Sequence, residues 1–146
     1  MAKDINIDIE GKRLNVRVGV IMRFEDSVVI EISTAGRNSV VPGGRIHVCE
    51  SSIDALEREV LEEMNFQIDK KRTRKLEVFE NFFKYDGKEV HEIYFLYEYT
   101  LNNEEIEKLK FEQNKDNSTT YFSLVPNNEI SKYNLLPLSL HKIINS

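Results

Sequence analysis

One stretch of the sequence has clear helical spacing and lies between two groups of strand-like segments. It runs from about Ser52 to Met64 without a proline or glycine, and Ser51 or Ser52 can cap its first turn. Apolar residues recur there at intervals of three and four positions, which is the spacing of one helical face. These positions are Ile53, Leu56, Val60 and Met64. The stretch therefore predicts one amphipathic helix with a buried apolar stripe.

The segments on both sides of this helix have strand patterns. After the helix, Asp86-Gly87 separates two runs rich in aromatic and β-branched residues, which predicts a long hairpin. The hairpin strands are predicted over 75–85 and 90–100, and further strands over 5–9, 14–24, 28–32 and 120–124. Shorter helices are predicted over 102–110 and 137–144. Residues 112–119 are predicted to form a polar loop. This order predicts an α/β fold with a mixed sheet covered by helices on both faces.

The size, charge and cysteine content limit the classes of function. With 146 residues, of which 40% are apolar and 31% charged, the chain is predicted to form a single soluble domain over residues 1–146. Its formal charge of −5 argues against nonspecific DNA or RNA binding, so an acidic protein acting on phosphates needs a cation. A single cysteine excludes an intrachain disulfide and fits a cytoplasmic location. No signal peptide or membrane span is predicted.

Three glutamates in the predicted helix share one face. Glu59, Glu62 and Glu63 stand at positions i, i+3 and i+4, so their like charges destabilise an exposed helix by roughly 0.2–0.5 kcal/mol per pair. A bound divalent cation would reverse that cost. Magnesium prefers carboxylate oxygens, and a carboxylate outside its coordination sphere could accept a proton from an attacking water. The simplest alternative is a solvated acidic surface, which is common on helices.

Residues upstream of the helix favour the metal site over the acidic surface. Pro42-Gly43-Gly44 is predicted to form a tight turn whose backbone comes close to an ion or a phosphate. Glu50 precedes the helix at a position where it could pair with Arg58. This pair would fix the loop to the helix.

The segment Gly44 to Phe66 resembles the Nudix box, whose pattern is G-x5-E-x7-R-E-U-x-E-E-x-G-U, where U is a bulky aliphatic residue. The fixed positions of the pattern are occupied except at Asn65, where the family has glycine, and Phe66 is a loose fit at the last place. Asparagine is the next most tolerant residue for a helix end with positive φ. Cys49 also stands where many members have glycine. The preceding strands and the following hairpin are similar to the family as well.

This resemblance implies a Nudix hydrolase with an α/β/α sandwich fold, cleaving the diphosphate bond of a nucleoside diphosphate linked to another group. It implies that Glu59, Glu62 and Glu63 bind Mg²⁺ or Mn²⁺, that one of them acts as base, and that the Gly44 carbonyl completes the site. Glu50 and Arg58 would orient these ligands. The implied substrate is a nucleotide derivative of small size.

Several other residues are candidates for contacts with the substrate. Among the basic residues upstream of the glycines, one or more could bind a phosphate or ribose, and Glu112 or Asp116 could add a carboxylate. The aromatic residues of the hairpin could stack on a base, although such residues usually fill a core. His47 is assigned no catalytic role, and Cys49 is interpreted as a small buried packing residue. The basic candidates are Arg13, Arg17, Arg23 and Arg37, and the aromatic ones are Phe79, Phe82, Phe83, Tyr85, Tyr94, Phe95, Tyr97 and Tyr99.

Two alternatives to the enzyme remain at this point. A Nudix-like sensor would bind a nucleotide or metabolite without turnover, and such proteins usually lack box carboxylates, which are present here. A structural protein would carry its acidic helix only as a surface.

Nucleoside triphosphates, nucleotide sugars, dinucleoside polyphosphates and capped RNA ends all remain open as substrates. The alternating N-terminal strand offers an edge on which the chain could form a homodimer.

Overall fold

The computed structural model describes residues 3–35, 38–109, 111 and 119–146. The predicted polar loop over 112–119 therefore lies almost wholly outside the described residues, as do the candidates Arg37, Glu112 and Asp116. The strands are β1 (Asn6–Ile9), β2 (Lys12–Phe24), β3 (Ser27–Ser33), β4 (Ser39–Val40), β5 (Gly43–Arg45), β6 (Thr73–Tyr85), β7 (Lys88–Thr100) and β8 (Thr120–Pro126). The helices are α1 (Ser52–Met64), α2 (Asn103–Lys108) and α3 (Ser139–Ile144), with 3-10 turns at Lys70–Arg72 and Asn127–Tyr133.

All the strands named above belong to one mixed sheet with β2 at its centre. The main order is β4-β3-β2-β7-β6, while β1 and β5 also pair with β2 and β8 pairs with β3. Strands β2 and β7 are parallel, in a register that runs from Arg13 opposite Val90 to Arg23 opposite Thr100. The other pairings are antiparallel. The predicted mixed sheet is confirmed.

Helices cover both faces of this sheet. Helix α1 packs through Leu56 and Val60 against Val18 and Val20 of β2 and forms one core. On the opposite face, α3 and the second 3-10 turn pack against alternate residues of β2 and β3, such as Ile21. The two cores arise because successive side chains of a strand point to opposite faces. The predicted α/β/α sandwich is confirmed, and none of the described helices has the length and apolar character needed to cross a membrane.

The local predictions agree closely with the elements. Helix α1 has the predicted bounds, and the turn between β6 and β7 is Asp86-Gly87, with φ of 51° and 78°. Two positive φ values in succession match the twist of antiparallel strands, which is why this dipeptide favours hairpins. The last helix begins at Ser139, two residues later than predicted.

Candidate functional site

Both ends of α1 are fixed by local interactions. The Ser51 hydroxyl accepts a hydrogen bond from the Asp54 backbone N–H at 3.2 Å, so Ser51 is the N-cap. At the other end Asn65 adopts the left-handed conformation, with φ 52° and ψ 38°, and its N–H donates to the Leu61 carbonyl at 3.0 Å. Asparagine therefore ends the helix in the conformation expected of glycine.

The left-handed conformation of Asn65 allows us to predict how substitutions there change stability. Asn65→Ala is expected to lower the free energy of unfolding by about 1 kcal/mol, because a β-carbon without a polar side chain is disfavoured there. Asn65→Gly is expected to equal or exceed the wild type. Urea unfolding of the three proteins measures the difference. Equal stability of the alanine variant and the wild type would contradict it.

Arg58 joins the loop to the helix through its guanidinium group. Its Nε and Nη2 donate to the two carboxylate oxygens of Glu50, at 2.8 and 2.9 Å. Its Nη1 donates to Glu59 at 2.9 Å, and Nη2 also donates to the Arg45 carbonyl at 3.0 Å. The predicted pair of Glu50 and Arg58 is confirmed in geometry, and it holds the pKa of the Glu50 carboxyl below its usual range.

Glu59 and Glu63 point inward from α1. Glu63 is only 8% exposed, and its carboxylate accepts a hydrogen bond from the Gly43 N–H at 3.2 Å. Burial raises the pKa of Glu63 to about 9, and the negative charges of Glu31 and Glu59 add to this effect. Burial also raises the pKa of Glu59. The site therefore groups carboxyl groups in a buried environment that disfavours their negative charge.

The two glycines before the helix allow strand and helix to approach closely. A β-carbon at Gly44 would lie 2.3 Å from Cδ of Glu59, and one at Gly43 would lie 2.1 Å from the Val18 carbonyl oxygen. The predicted tight turn is wrong, since Gly43 and Gly44 belong to β5 and pair with Gly19 and Val18 of β2. Their lack of side chains serves close packing in a sheet instead of a turn.

Glu62 differs from the other two glutamates. Its side chain is 46% exposed, and its nearest ionic contact is Arg58 Nη1 at 3.5 Å. Within the described part of the chain, no three His, Cys, Asp or Glu side chains are grouped as a ready-made metal site. The structure thus brings Glu59 and Glu63 together and leaves Glu62 apart, and the metal-binding role of all three stays a prediction.

A family model described as the NUDIX domain matches residues 13–142. The chain belongs to the Nudix family. The matched region includes the whole Gly44–Phe66 segment and all the side chains that Arg58 holds. Family and fold assign the chain to the Nudix hydrolases.

Several solved structures of Nudix proteins are similar to this chain. The mutator MutT protein from Bacillus halodurans aligns with a TM-score of 0.69 and 16% identity, over 90% of this chain and 80% of that one. A Nudix hydrolase from Nitrosomonas europaea has a TM-score of 0.62 and 16% identity, with 90% and 86% covered. The C. elegans Ap4A hydrolase has a TM-score of 0.58 and 14% identity, with 90% and 94% covered. No curated protein matches the chain in sequence.

Cys49 stands where many Nudix proteins have glycine, and its backbone adopts a conformation that favours glycine. It has φ 68°, in the region that favours glycine, and it is exposed. The interpretation of Cys49 as a buried packing residue is therefore wrong. Neighbouring His47 lies between Asp4, 3.3 Å from its Nε2, and Glu50, 3.8 Å from its Nδ1.

Of the three basic candidates that the structure describes, Arg17 is the one placed next to the glutamates. Its positive charge opposes the effect of burial on the pKa of Glu59 and Glu63, although burial is the larger effect. Arg13 pairs instead with Asp8, and Arg23 pairs with Glu98 at 2.7 Å. The sequence alone could not separate Arg17 from Arg23, because the neighbours of both come from distant segments.

Arg17 also lines a groove on the α3 side of the sheet. The groove has a volume of about 750 Å³ and continues into a smaller cavity of about 180 Å³. Three hairpin aromatics, Phe82, Phe83 and Tyr85, are exposed at the groove, whereas Tyr94 is buried in its floor. Of the other candidates, Phe95, Tyr97 and Tyr99 belong to the α1 core, and Phe79 packs against Tyr94. In this Nudix fold Arg17 is therefore both a neighbour of the carboxylates and part of the groove.

Proposed function

We propose that this Nudix hydrolase uses Mg²⁺ or Mn²⁺ to cleave the diphosphate bond of a nucleoside diphosphate linked to another group, with residues 1–146 acting as one domain. The observation that carries the proposal is the burial of Glu59 and Glu63 beside the Gly43–Gly44 strand. Burial raises the pKa of both carboxyls, and neighbouring glutamates, Glu62 for Glu59 and Glu31 and Glu59 for Glu63, add to this effect. Such a site gains stability from a divalent cation. The proposal therefore explains why the chain tolerates an arrangement that is costly without one.

The donor set fits a hard divalent cation. Magnesium in enzymes is commonly held by one or two protein carboxylates together with water and substrate phosphates, so Glu59 and Glu63 suffice as a minimum. Glu62 and the Gly44 carbonyl are the further predicted ligands. When bound, the cation would neutralise the diphosphate and lower the pKa of an attacking water.

The chain's own residues would supply orientation and proton transfer. Arg58 fixes the Glu59 carboxylate by a hydrogen bond of 2.9 Å and ties it to Glu50, which prevents both from rotating. Arg17, a neighbour of the carboxylates and part of the groove, would bind a phosphate of the substrate. A box glutamate that is not bound to the cation would accept the proton of the attacking water.

The groove beyond Arg17 supports a nucleotide as substrate. It combines a large volume with exposed aromatic side chains, which suit a base, and it begins at the residue proposed to bind phosphate. Among the similar structures, the name of the C. elegans enzyme gives Ap4A as its substrate, which is a nucleotide derivative with linked phosphates. A cytoplasmic location, a homodimer and the absence of nonspecific nucleic-acid binding stay predictions.

A substrate panel tests the proposed function. Purified protein is incubated with nucleoside triphosphates, nucleotide sugars, dinucleoside polyphosphates and capped RNA, each with Mg²⁺, with Mn²⁺ and with EDTA. We expect release of phosphate or nucleotide from at least one compound with metal and none with EDTA. If no compound is cleaved although nucleotides bind, the protein is a sensor and the hydrolase proposal is wrong.

A further inference from the structure

A row of three polar side chains crosses the floor of the groove. Glu92 of β7 lies opposite Asn15 of β2 and opposite Asn81 of β6, so the three side chains share one face of the sheet. Asn15 Nδ2 donates to one carboxylate oxygen of Glu92 at 2.6 Å, and Asn81 Nδ2 donates to the other at 3.3 Å. The two amides therefore hold the carboxylate from both sides.

Glu92 is a buried carboxyl group that forms no ion pair with the described residues. It is 5% exposed, and among the described residues no lysine, arginine or histidine forms an ion pair with it. Two neutral amides compensate a buried carboxylate only in part, and each oxygen keeps a lone pair for another donor. An isosteric amide side chain would cost less to bury, so a carboxyl group at this position indicates a use other than stability.

Asn15 provides a second, independent sign of a missing ligand. The residue is 5% exposed, and its Oδ1 has no hydrogen-bond partner among the described residues. Buried acceptors are normally satisfied, and an unsatisfied one destabilises the folded state. Asn15 and Glu92 both line the smaller cavity, and Glu92 also lines the groove. The row thus offers several free acceptor positions to a ligand.

The row lies one step along the sheet from Arg17, the proposed phosphate contact. In the register of β2 with β7, Arg17 lies opposite Tyr94, which is the next row on the same face. Adjacent rows are two residues apart, or about 7 Å. Phe83, which lines the groove, lies one row further in the other direction. A nucleotide with a phosphate at Arg17 would therefore place its nucleoside over Glu92.

We propose that Glu92 determines the specificity of this enzyme by accepting hydrogen bonds from two neighbouring donors on the nucleoside half of the substrate. Two parts of a nucleoside present such a pair: the guanine edge, with its ring N–H beside an amino group, and the 2′,3′-diol of ribose. Both match a carboxylate held in one plane by Asn15 and Asn81. The inference rests on the proposed function, because it uses a nucleotide as the ligand.

Binding of nucleoside diphosphates without metal tests this role separately from turnover. Affinities of GDP, IDP, ADP, dGDP and dADP are measured by calorimetry in EDTA for the wild type and for Glu92→Gln. If guanine supplies the donors, GDP and dGDP bind about tenfold more tightly than IDP and ADP. If the ribose diol supplies them, GDP and ADP bind about tenfold more tightly than dGDP and dADP. In both cases Glu92→Gln reduces the preference to less than about threefold.

Two further variants make the test decisive. Asn81→Ala keeps the charge but releases one oxygen of Glu92, and it is expected to weaken the same preference. Glu89→Gln removes an exposed carboxylate of the same strand, 3.2 Å from Lys12, and is expected to change nothing. Any other order of affinities, or a preference that Glu92→Gln leaves unchanged, overturns the proposal. Hydrolysis with Mg²⁺ is measured separately. Failure of the specificity proposal therefore leaves the hydrolase proposal standing, and failure of the hydrolase proposal leaves the binding result standing.

Discussion

Glu63→Gln is expected to lower kcat by a factor of about 10²–10⁴ in the presence of Mg²⁺, because it removes a carboxylate proposed either to bind the cation or to accept the proton of water. The same substitution is expected to stabilise the metal-free protein by about 1–4 kcal/mol near neutral pH, because it removes a carboxyl group whose pKa is raised on folding. The buried carboxylate has a pKa of about 9, whereas an unfolded glutamate has a pKa near 4.5. At pH values between 4.5 and about 9, Glu63 keeps its proton in the folded state and has released it in the unfolded state.

The sign of this pH effect follows from proton linkage. The folded wild type is stabilised relative to the unfolded chain below about pH 4.5, and this stabilisation is lost as the pH rises to about 9. Glu63→Gln should not lose stability over that range. Added Mg²⁺ should stabilise the wild type more than the variant.

Rates, calorimetric metal titration and urea unfolding in EDTA at several pH values measure these effects. Glu57→Gln is the matched control, since Glu57 lies on the same helix, is partly exposed and contacts Gln67 and Lys70 outside the site. The control should keep its rate and metal affinity. Full turnover by Glu63→Gln would show that Glu63 has neither proposed role.

The sequence was sufficient for elements whose determinants are local. The bounds of α1 follow from its apolar spacing, the Ser51 cap and Asn65, and the hairpin follows from Asp86-Gly87. The pair of Glu50 and Arg58 was also predicted, because one residue precedes the helix and the other lies in its second turn. These interactions join residues within a few positions of each other.

The groove was not predictable because it depends on pairing between distant segments. Arg17 and Tyr94 are neighbours only because β2 and β7 are parallel, and Asn15 meets Glu92 for the same reason. A shift of this register by one residue would move both side chains to the other face. The strand at Gly43 and Gly44 was mistaken for a turn on similar grounds, since glycine favours turns unless a partner strand is known.

Arg58→Leu is expected to lower both the free energy of unfolding, by about 2–4 kcal/mol, and kcat. Unlike Glu63, Arg58 balances the negative charge of the carboxylates around it. Its removal takes the main hydrogen-bond donor from Glu50 and Glu59, which are both partly buried. Because Arg58 lowers the pKa of Glu50, its contribution is present above the unfolded pKa and is lost as the pH falls through the folded one.

Arg58→Lys separates charge from geometry in this second prediction. A lysine keeps the positive charge but cannot donate at once to Glu50, Glu59 and the Arg45 carbonyl as the guanidinium does. It should therefore recover part of the stability but little of the rate, because the rate depends on the orientation of Glu59. Urea unfolding and kcat are compared with those of Arg74→Leu, an exposed arginine on β6. If Arg58→Leu were as stable and as active as this control, the network would not hold the site, and Glu59 would have to be oriented by its packing against Gly44 alone.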